Sequence, residues 1–140
     1  MKFLLDTSLI SELIRPRPEK KVVAWIGGME DDLLALSVLT IGELQKGVAR
    51  LPQGPRRKKL ARWIDEDLRL RFEGRVLPVT EEVAEAWGRL SGEAEAKGMK
   101  LPVIDALLGA TALVHGLTVA TRNTTDIART GAPVFNPWEG

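Results

Sequence analysis

The chain has 140 residues, 44% hydrophobic and 28% charged, with a formal net charge of +1; this suits one domain spanning 1–140, and any basic surface for nucleic acid must be local. With no cysteine, disulfides, thiolate catalysis and thiolate zinc sites are excluded, and the single histidine, His115, excludes a histidine-pair mechanism. No stretch reaches the roughly 20 apolar residues that span a bilayer, and no leader is evident, so a soluble, cytoplasmic protein without membrane contact is expected.

Lys2-Phe3-Leu4-Leu5 reads as a buried strand, and Asp6-Thr7-Ser8 suits the cap of the helix that follows, whose apolar stripe is Leu9, Ile10, Leu13 and Ile14. Arg15-Pro16-Arg17-Pro18 stops that helix, because each proline removes a backbone donor and biases its predecessor toward extended geometry. A short helix over Glu19 to Ile26 ends at Gly27-Gly28, and Leu33 to Leu36 is the second strand. The next helix carries Ile41, Leu44, Val48 and Leu51 on one face, and Leu51 to Pro55 form a loop. Leu60, Trp63, Ile64 and Leu68 then recur at helical spacing, which turns Arg56, Arg57, Lys58, Lys59 and Arg62 largely outward. Arg75 to Val79 resembles a third strand, and Thr80 caps a helix presenting Val83, Trp87, Leu90 and Ala94. Residues 105–115 are apolar on nearly every side, as in a buried helix ended by Gly116. Leu117 to Ala120 is the fourth strand and Val134-Phe135 a short fifth. Strands alternating with helices imply right-handed βαβ units and an α/β fold, its parallel sheet covered on both faces.

Four carboxylates, Asp6, Glu43, Asp105 and Asp126, each fall where an apolar run gives way to a turn or to the first turns of a helix. Singly, each has a structural explanation. Asp6 and Asp105 suit helix caps, Glu43 suits a capping box with Thr40, and Asp126 suits an Asx turn. Their joint placement points elsewhere, because ligands of open parallel sheets bind beyond the carboxyl ends of the strands, near the switch in strand order. Carboxylates crowded there repel one another unless a cation intervenes, and an all-oxygen donor set favours Mg²⁺ or Mn²⁺ over zinc. Thr7, Ser8, Thr121 and Asn123 lie beside the acids and suit either metal-bound waters or local turns. Such a site suits phosphodiester hydrolysis by metal-activated water, with a second ion about 3.5–4 Å away as an option. Asp6, Asp105 and Asp126 are then expected as metal ligands, and Glu43 as the residue that orients water or meets a second ion.

The ordered set Leu5-Asp6-Thr7-Ser8-Leu9-Ile10-Ser11-Glu12-Leu13, Arg15 to Pro18, Thr40-Ile41-Gly42-Glu43-Leu44, Asp105-Ala106-Leu107-Leu108, Thr121-Arg122-Asn123 with Asp126, and Asn136-Pro137-Trp138 resembles a PIN-domain ribonuclease, closest to the VapC/FitB-like toxin branch. The resemblance runs from the first strand to the last residues. It implies a three-layer α/β/α sandwich with a mostly parallel sheet and Mg²⁺- or Mn²⁺-dependent endoribonuclease activity. It also implies homodimerisation and a VapB-like antitoxin that blocks the site and brings the pair to DNA. An antitoxin segment is expected in the groove of the early helices, burying apolar residues and placing an Arg near the acids. Ser8 stands where many members carry Asn, and Ile127 where many carry Phe; the first change bears on water near Asp6, the second on packing.

Residues 50–75 hold nine Lys/Arg against four acids, a local net of +5. Arg56, Arg57 and Lys58 are therefore the candidate phosphate track, set against a merely solvated helix face. Arg122 is the candidate substrate contact nearest the acids. Trp25, Trp63 and Trp87 lie on apolar stripes and belong to the core, whereas Trp138 suits a dimer face or a sheet edge. An aspartate-nucleophile phosphatase needs an acid two residues after the first, where this chain has Ser8. A phosphotransfer receiver needs a late lysine, and Lys100 is the last. The remaining alternative is a non-catalytic module whose acidic pocket docks a basic partner.

Overall fold

Phe3–Leu5 forms the central strand β1, and its apolar side chains are divided between two cores by the pleat. The computed structural model describes residues 1–140. β1 pairs in parallel with β2 (Leu34–Ser37) on one side and β4 (Thr118–Ala120) on the other, with Leu4 opposite Ala35 and Val119. β3 (Val76–Leu77) extends the sheet beyond β2, and β5 (Val134–Phe135) beyond β4, giving the order β3-β2-β1-β4-β5, all parallel. Strand order reverses between β1 and β4, so a crevice opens where those two strands end.

Phe3, Leu5, Leu34 and Leu36 face one core. Helices α1 (Thr7–Leu13), α2 (Lys20–Gly27), α3 (Val38–Ala49) and α4 (Pro55–Arg62) surround it, α4 continuing through a wide π turn at Trp63–Leu68 into α5 (Arg69–Arg71). Leu4, Ala35 and Val119 face the other core, closed by Leu108 and Ala112 of α7 (Val103–His115) and Ile127 of α8 (Thr124–Ala128). Helix α6 (Glu81–Ala96) packs along α7. These are the three layers expected of the α/β/α sandwich. Ile127 is fully buried, so the residue after the final acid is a packing position. Trp25 stands edge-on to Phe3 with ring centroids 5.0 Å apart, a core role.

Several local expectations are corrected. Ser37, not Thr40, caps α3: its Oγ accepts the Leu39 N–H at 3.0 Å, which leaves Thr40 buried in the first turn and rules out the capping box. Pro102 occupies the cap position of α7, so Asp105 is not a cap, and Asp126 lies inside α8 rather than in an Asx turn. Asp6 does precede α1, but its carboxylate caps no backbone N–H. Gly116 ends α7 at φ +67°, the left-handed conformation expected of a terminating glycine.

Helix α7 approaches the segment after α8 closely, and Gly109 is the point of contact. A Cβ built there would lie 2.1 Å from Thr130 Oγ1. Thr130 is buried and cannot swing away freely, since its hydroxyl donates to the Ile127 carbonyl at 2.6 Å. Gly109→Ala should therefore destabilise the protein by about 1–3 kcal/mol through overpacking. In urea denaturation, adding Thr130→Ala should recover part of that loss; purely additive effects would show that the two residues do not collide.

Candidate active site

Each of the four acids is delivered by an early helical position that follows an apolar element. Asp6 ends β1 and precedes α1, Glu43 lies in the second turn of α3 after β2, Asp105 lies in the first turn of α7, and Asp126 lies in the first turn of α8 after β4. All four are half-buried. Helix amino termini bring partial positive charge toward anions, which offsets part of the cost of collecting these groups.

Hydroxyl groups tie the acids down unequally. Asp6 Oδ2 accepts from Ser8 Oγ at 2.9 Å and from Thr121 Oγ1 at 2.8 Å. Glu43 Oε1 accepts from Thr7 Oγ1 at 2.5 Å. Thr121 Oγ1 also accepts the Asn123 N–H at 2.9 Å, fixing the turn between β4 and α8. Asp126 pairs with Arg129 at 3.6 Å, whereas Asp6, Glu43 and Asp105 have no cationic partner within 4 Å. Asp105 accepts no hydrogen bond at all. Its carboxyl is correspondingly pushed above the ordinary range, first by burial and then by the charges of Asp6, Asp126 and Glu43. The charges of the other three acids thus reach Asp105.

The donor set is all oxygen, as Mg²⁺ and Mn²⁺ require. No three acids are grouped so as to hold a metal ion by themselves; the fit rests on the oxygen donors alone, with one or two carboxylates, water and a substrate phosphate making up the shell. Thr7, Ser8 and Thr121 position the carboxylates directly, and Asn123 enters through its backbone. Ser8 supplies one donor to Asp6, with little reach beyond it.

The basic track is divided by the fold. Arg56 lines a groove with Thr7, Glu43, Ile14, Leu44 and Ile64. Arg57 donates to the Leu51 carbonyl at 3.1 Å, a loop clamp, and Lys58 lines a separate depression with Arg62 and Trp63. Arg75 is turned inward, donating to the Asp31, Leu34 and Arg71 carbonyls and fastening the short strand β3. The sequence reading missed Lys46, which with Arg50, counted in the basic stretch but not singled out, lines a cleft of about 500 Å³ together with Thr7 and Glu43. Their signal was present: they follow Glu43 by three and seven residues, on the same helical face. Arg122 stands at the pocket rim, its backbone N–H 3.4 Å from Ser8 Oγ. His115 is exposed at the far end of α7, about 15 Å along the helix from Asp105. No helix is long and apolar enough to cross a membrane.

The profile of the PIN domain matches residues 3–133. The chain is 38% identical to Toxin FitB of Neisseria gonorrhoeae over 96% of its length and 97% of that protein's. It is 35% identical to VapC ribonuclease Y4jK of Sinorhizobium fredii, over 97% of both chains. A chain of the crystal structure of FitAcB from Neisseria gonorrhoeae superposes with a TM-score of 0.93 at 38% identity, covering 99% of each chain. A chain of the structure of FitAB bound to an IR36 DNA fragment gives 0.91 at 37% identity, covering 97% of this chain and 95% of that one.

The crowding around Asp105 has a measurable consequence. A carboxyl whose pKa is raised by folding contributes stability while protonated and loses it as pH climbs from the ordinary Asp value of about 3.9 through the raised one. At pH 7 the charged form is a burden, so Asp105→Asn should raise the melting temperature of chelator-treated protein, and the gain should shrink as pH falls toward 4. Mg²⁺ should raise the melting temperature of the wild type more than that of the variant. A variant less stable than wild type at pH 7 would mean that local contacts, not repulsion, dominate at Asp105.

Proposed function

Because the chain belongs to the PIN-domain family, we propose that it is a Mg²⁺- or Mn²⁺-dependent endoribonuclease and the toxin of a toxin–antitoxin pair, its 140 residues acting as one catalytic domain. The observation that carries the reading is the convergence of four carboxylates on the strand-order switch, three without a cationic partner and one, Asp105, driven above its ordinary pKa first by burial and then by the charges of the others. Relatives named as a toxin and a ribonuclease across nearly the whole chain support the same activity.

Asp6, Asp105 and Asp126 would hold the cation, directly or through water, with Ser8 and Thr121 fixing the Asp6 carboxylate. When bound, the ion supplies Lewis-acid neutralisation of the phosphate and an activated water. Glu43, whose carboxylate accepts from Thr7, would orient the attacking water or meet a second ion. Lys46, Arg50 and Arg56 line grooves that share Glu43, and Arg122 adjoins Ser8, so that these four cations would offer positive charge to the RNA backbone beside the acids.

The groove lined by Ile14, Leu44, Val48 and Ile64 runs up to Glu43. It suits an apolar segment of a VapB-like antitoxin that sets an Arg among the acids and carries the complex, as a homodimer of toxin chains, to DNA. The structure of FitAB bound to an IR36 DNA fragment, one chain of which this chain resembles, supports the DNA-bound part of that reading. The alternative, a non-catalytic docking pocket, predicts partner binding with no cleavage. No helix suited to spanning a bilayer stands against action in the cytoplasm.

The deciding experiment incubates chelator-treated protein with end-labelled single-stranded RNAs, with and without Mg²⁺ or Mn²⁺. Cleavage leaving 5′-phosphate and 3′-hydroxyl ends should require the ion and vanish in Asp105→Asn and Glu43→Gln. Metal-independent cleavage, or full activity in both variants, would sink the proposal; no cleavage with tight antitoxin binding would favour the docking module.

A further inference from the structure

Glu12 is an acid that the nuclease site does not use, yet it is only 4% exposed. A buried carboxylate is costly unless its oxygens are satisfied. Glu12 Oε1 accepts from the Trp138 indole Nε1–H at 3.3 Å and from Arg15 at 3.3 Å, while Oε2 accepts the Glu19 N–H at 3.2 Å. Burial opposes the charge, but these donors prevail and hold the carboxyl below its ordinary range. The bond to Trp138 joins residues 126 positions apart and pins the carboxy-terminal tail to α1. A turn in which Asn136 Oδ1 accepts the Trp138 N–H at 2.9 Å brings the tail back from β5.

The other side of the indole carries Arg122, whose guanidinium carbon lies 5.4 Å from the ring centroid. Arg122 is exposed and forms no ion pair, although its backbone N–H faces Ser8, the residue that donates to Asp6. An arginine beside an acidic pocket would ordinarily be drawn onto a carboxylate. The aromatic face offers it a different rest position that leaves its N–H donors and charge free.

We propose that Trp138, fixed by Glu12, is a positioning residue that holds the Arg122 guanidinium at the rim of the acidic pocket, ready for a phosphate of the RNA backbone. The inference rests on the nuclease reading for its substrate. The seat acts on binding: it keeps a cation close to the acids without letting it neutralise them.

The test uses the full-length chain carrying Asp105→Asn, so that RNA survives, and reads the binding of a fluorescein-labelled single-stranded RNA by anisotropy across a salt series. Arg122→Ala should weaken binding roughly three- to tenfold and reduce the log–log salt slope by about 0.7, the share of one phosphate contact. Trp138→Leu and Trp138→Phe both lose the bond to Glu12, but only Phe keeps a ring face. Leu should reproduce the Arg122→Ala loss and its slope, and Phe, which keeps a ring face but not the tie to Glu12, should restore only part of both. Combining Trp138→Leu with Arg122→Ala should add nothing to Arg122→Ala alone. In the cleaving protein the same changes should raise KM and leave kcat within about threefold. Additive losses, equal behaviour of the Phe and Leu variants, an unaltered salt slope, or no RNA binding by the Arg122-bearing chain would overturn the proposal. Failure of the wild type to cleave an RNA that it binds would instead count against the nuclease reading, since the binding cycle needs no turnover.

Discussion

Repulsion among Asp6, Glu43, Asp105 and Asp126 is a cost that the fold has to carry, and the surroundings of the four acids follow from how it is carried. A cluster of like charges at the end of a sheet would open the strands that deliver it, unless those strands were held from behind. β1 is so held: Leu4 and Leu5 have no solvent exposure, and the strand is paired on both sides. Fully burying a leucine contributes about 1.5–3 kcal/mol, and two of them anchor the strand at the neck of the site. The all-apolar character of β1 is thus tied to the acid that ends it.

The offset is also local, and it is uneven. Hydrogen bonds to charged groups contribute roughly 1.5–3 kcal/mol each. Asp6 receives two from hydroxyls and Glu43 one, Asp126 has a nearby arginine, and Asp105 has none. The residue without local support is the one whose carboxyl titrates high. A divalent cation would relieve Asp105 most, which makes folding stability and ion binding two readings of one energy.

The parts legible in the sequence were those in which one residue type has one physical meaning. Uniformly apolar runs gave β1, β2 and β4, and Gly116 gave the end of α7, because only a left-handed residue closes a helix in that way. The acids were legible because a charged group at the end of a buried run has few other uses. Glu43 was assigned the wrong local alternative. Thr40 imitates a cap in the sequence, but the helix already starts three residues earlier, where Ser37 accepts the Leu39 N–H. α8 spans five residues, too few to show a period. The basic stretch misled because charge counts ignore direction: Arg57 and Arg75 spend their donors on carbonyls, while Lys46 and Arg50, outside the densest run, face the cleft. Glu12 and Trp138 were invisible as a pair, since nothing local in either segment signals a contact across 126 positions.

A floor of carboxylates ringed by arginine and lysine also explains how one pocket serves ligands of opposite sign under the proposed function. The floor alone attracts a metal ion or a partner's guanidinium and repels RNA; the rim alone attracts RNA anywhere on the surface. Only together, with the rim cations kept off the floor, do they select a phosphate that arrives with its cation between the two. A partner arginine on the floor removes the cation's place and leaves the rim facing a surface whose charge is already met. Inhibition then needs no change in the fold of the toxin chain. The same geometry that leaves Asp105 without a cationic partner would, under the proposed function, leave it open to capture by a partner's cation at the point where the chemistry takes place.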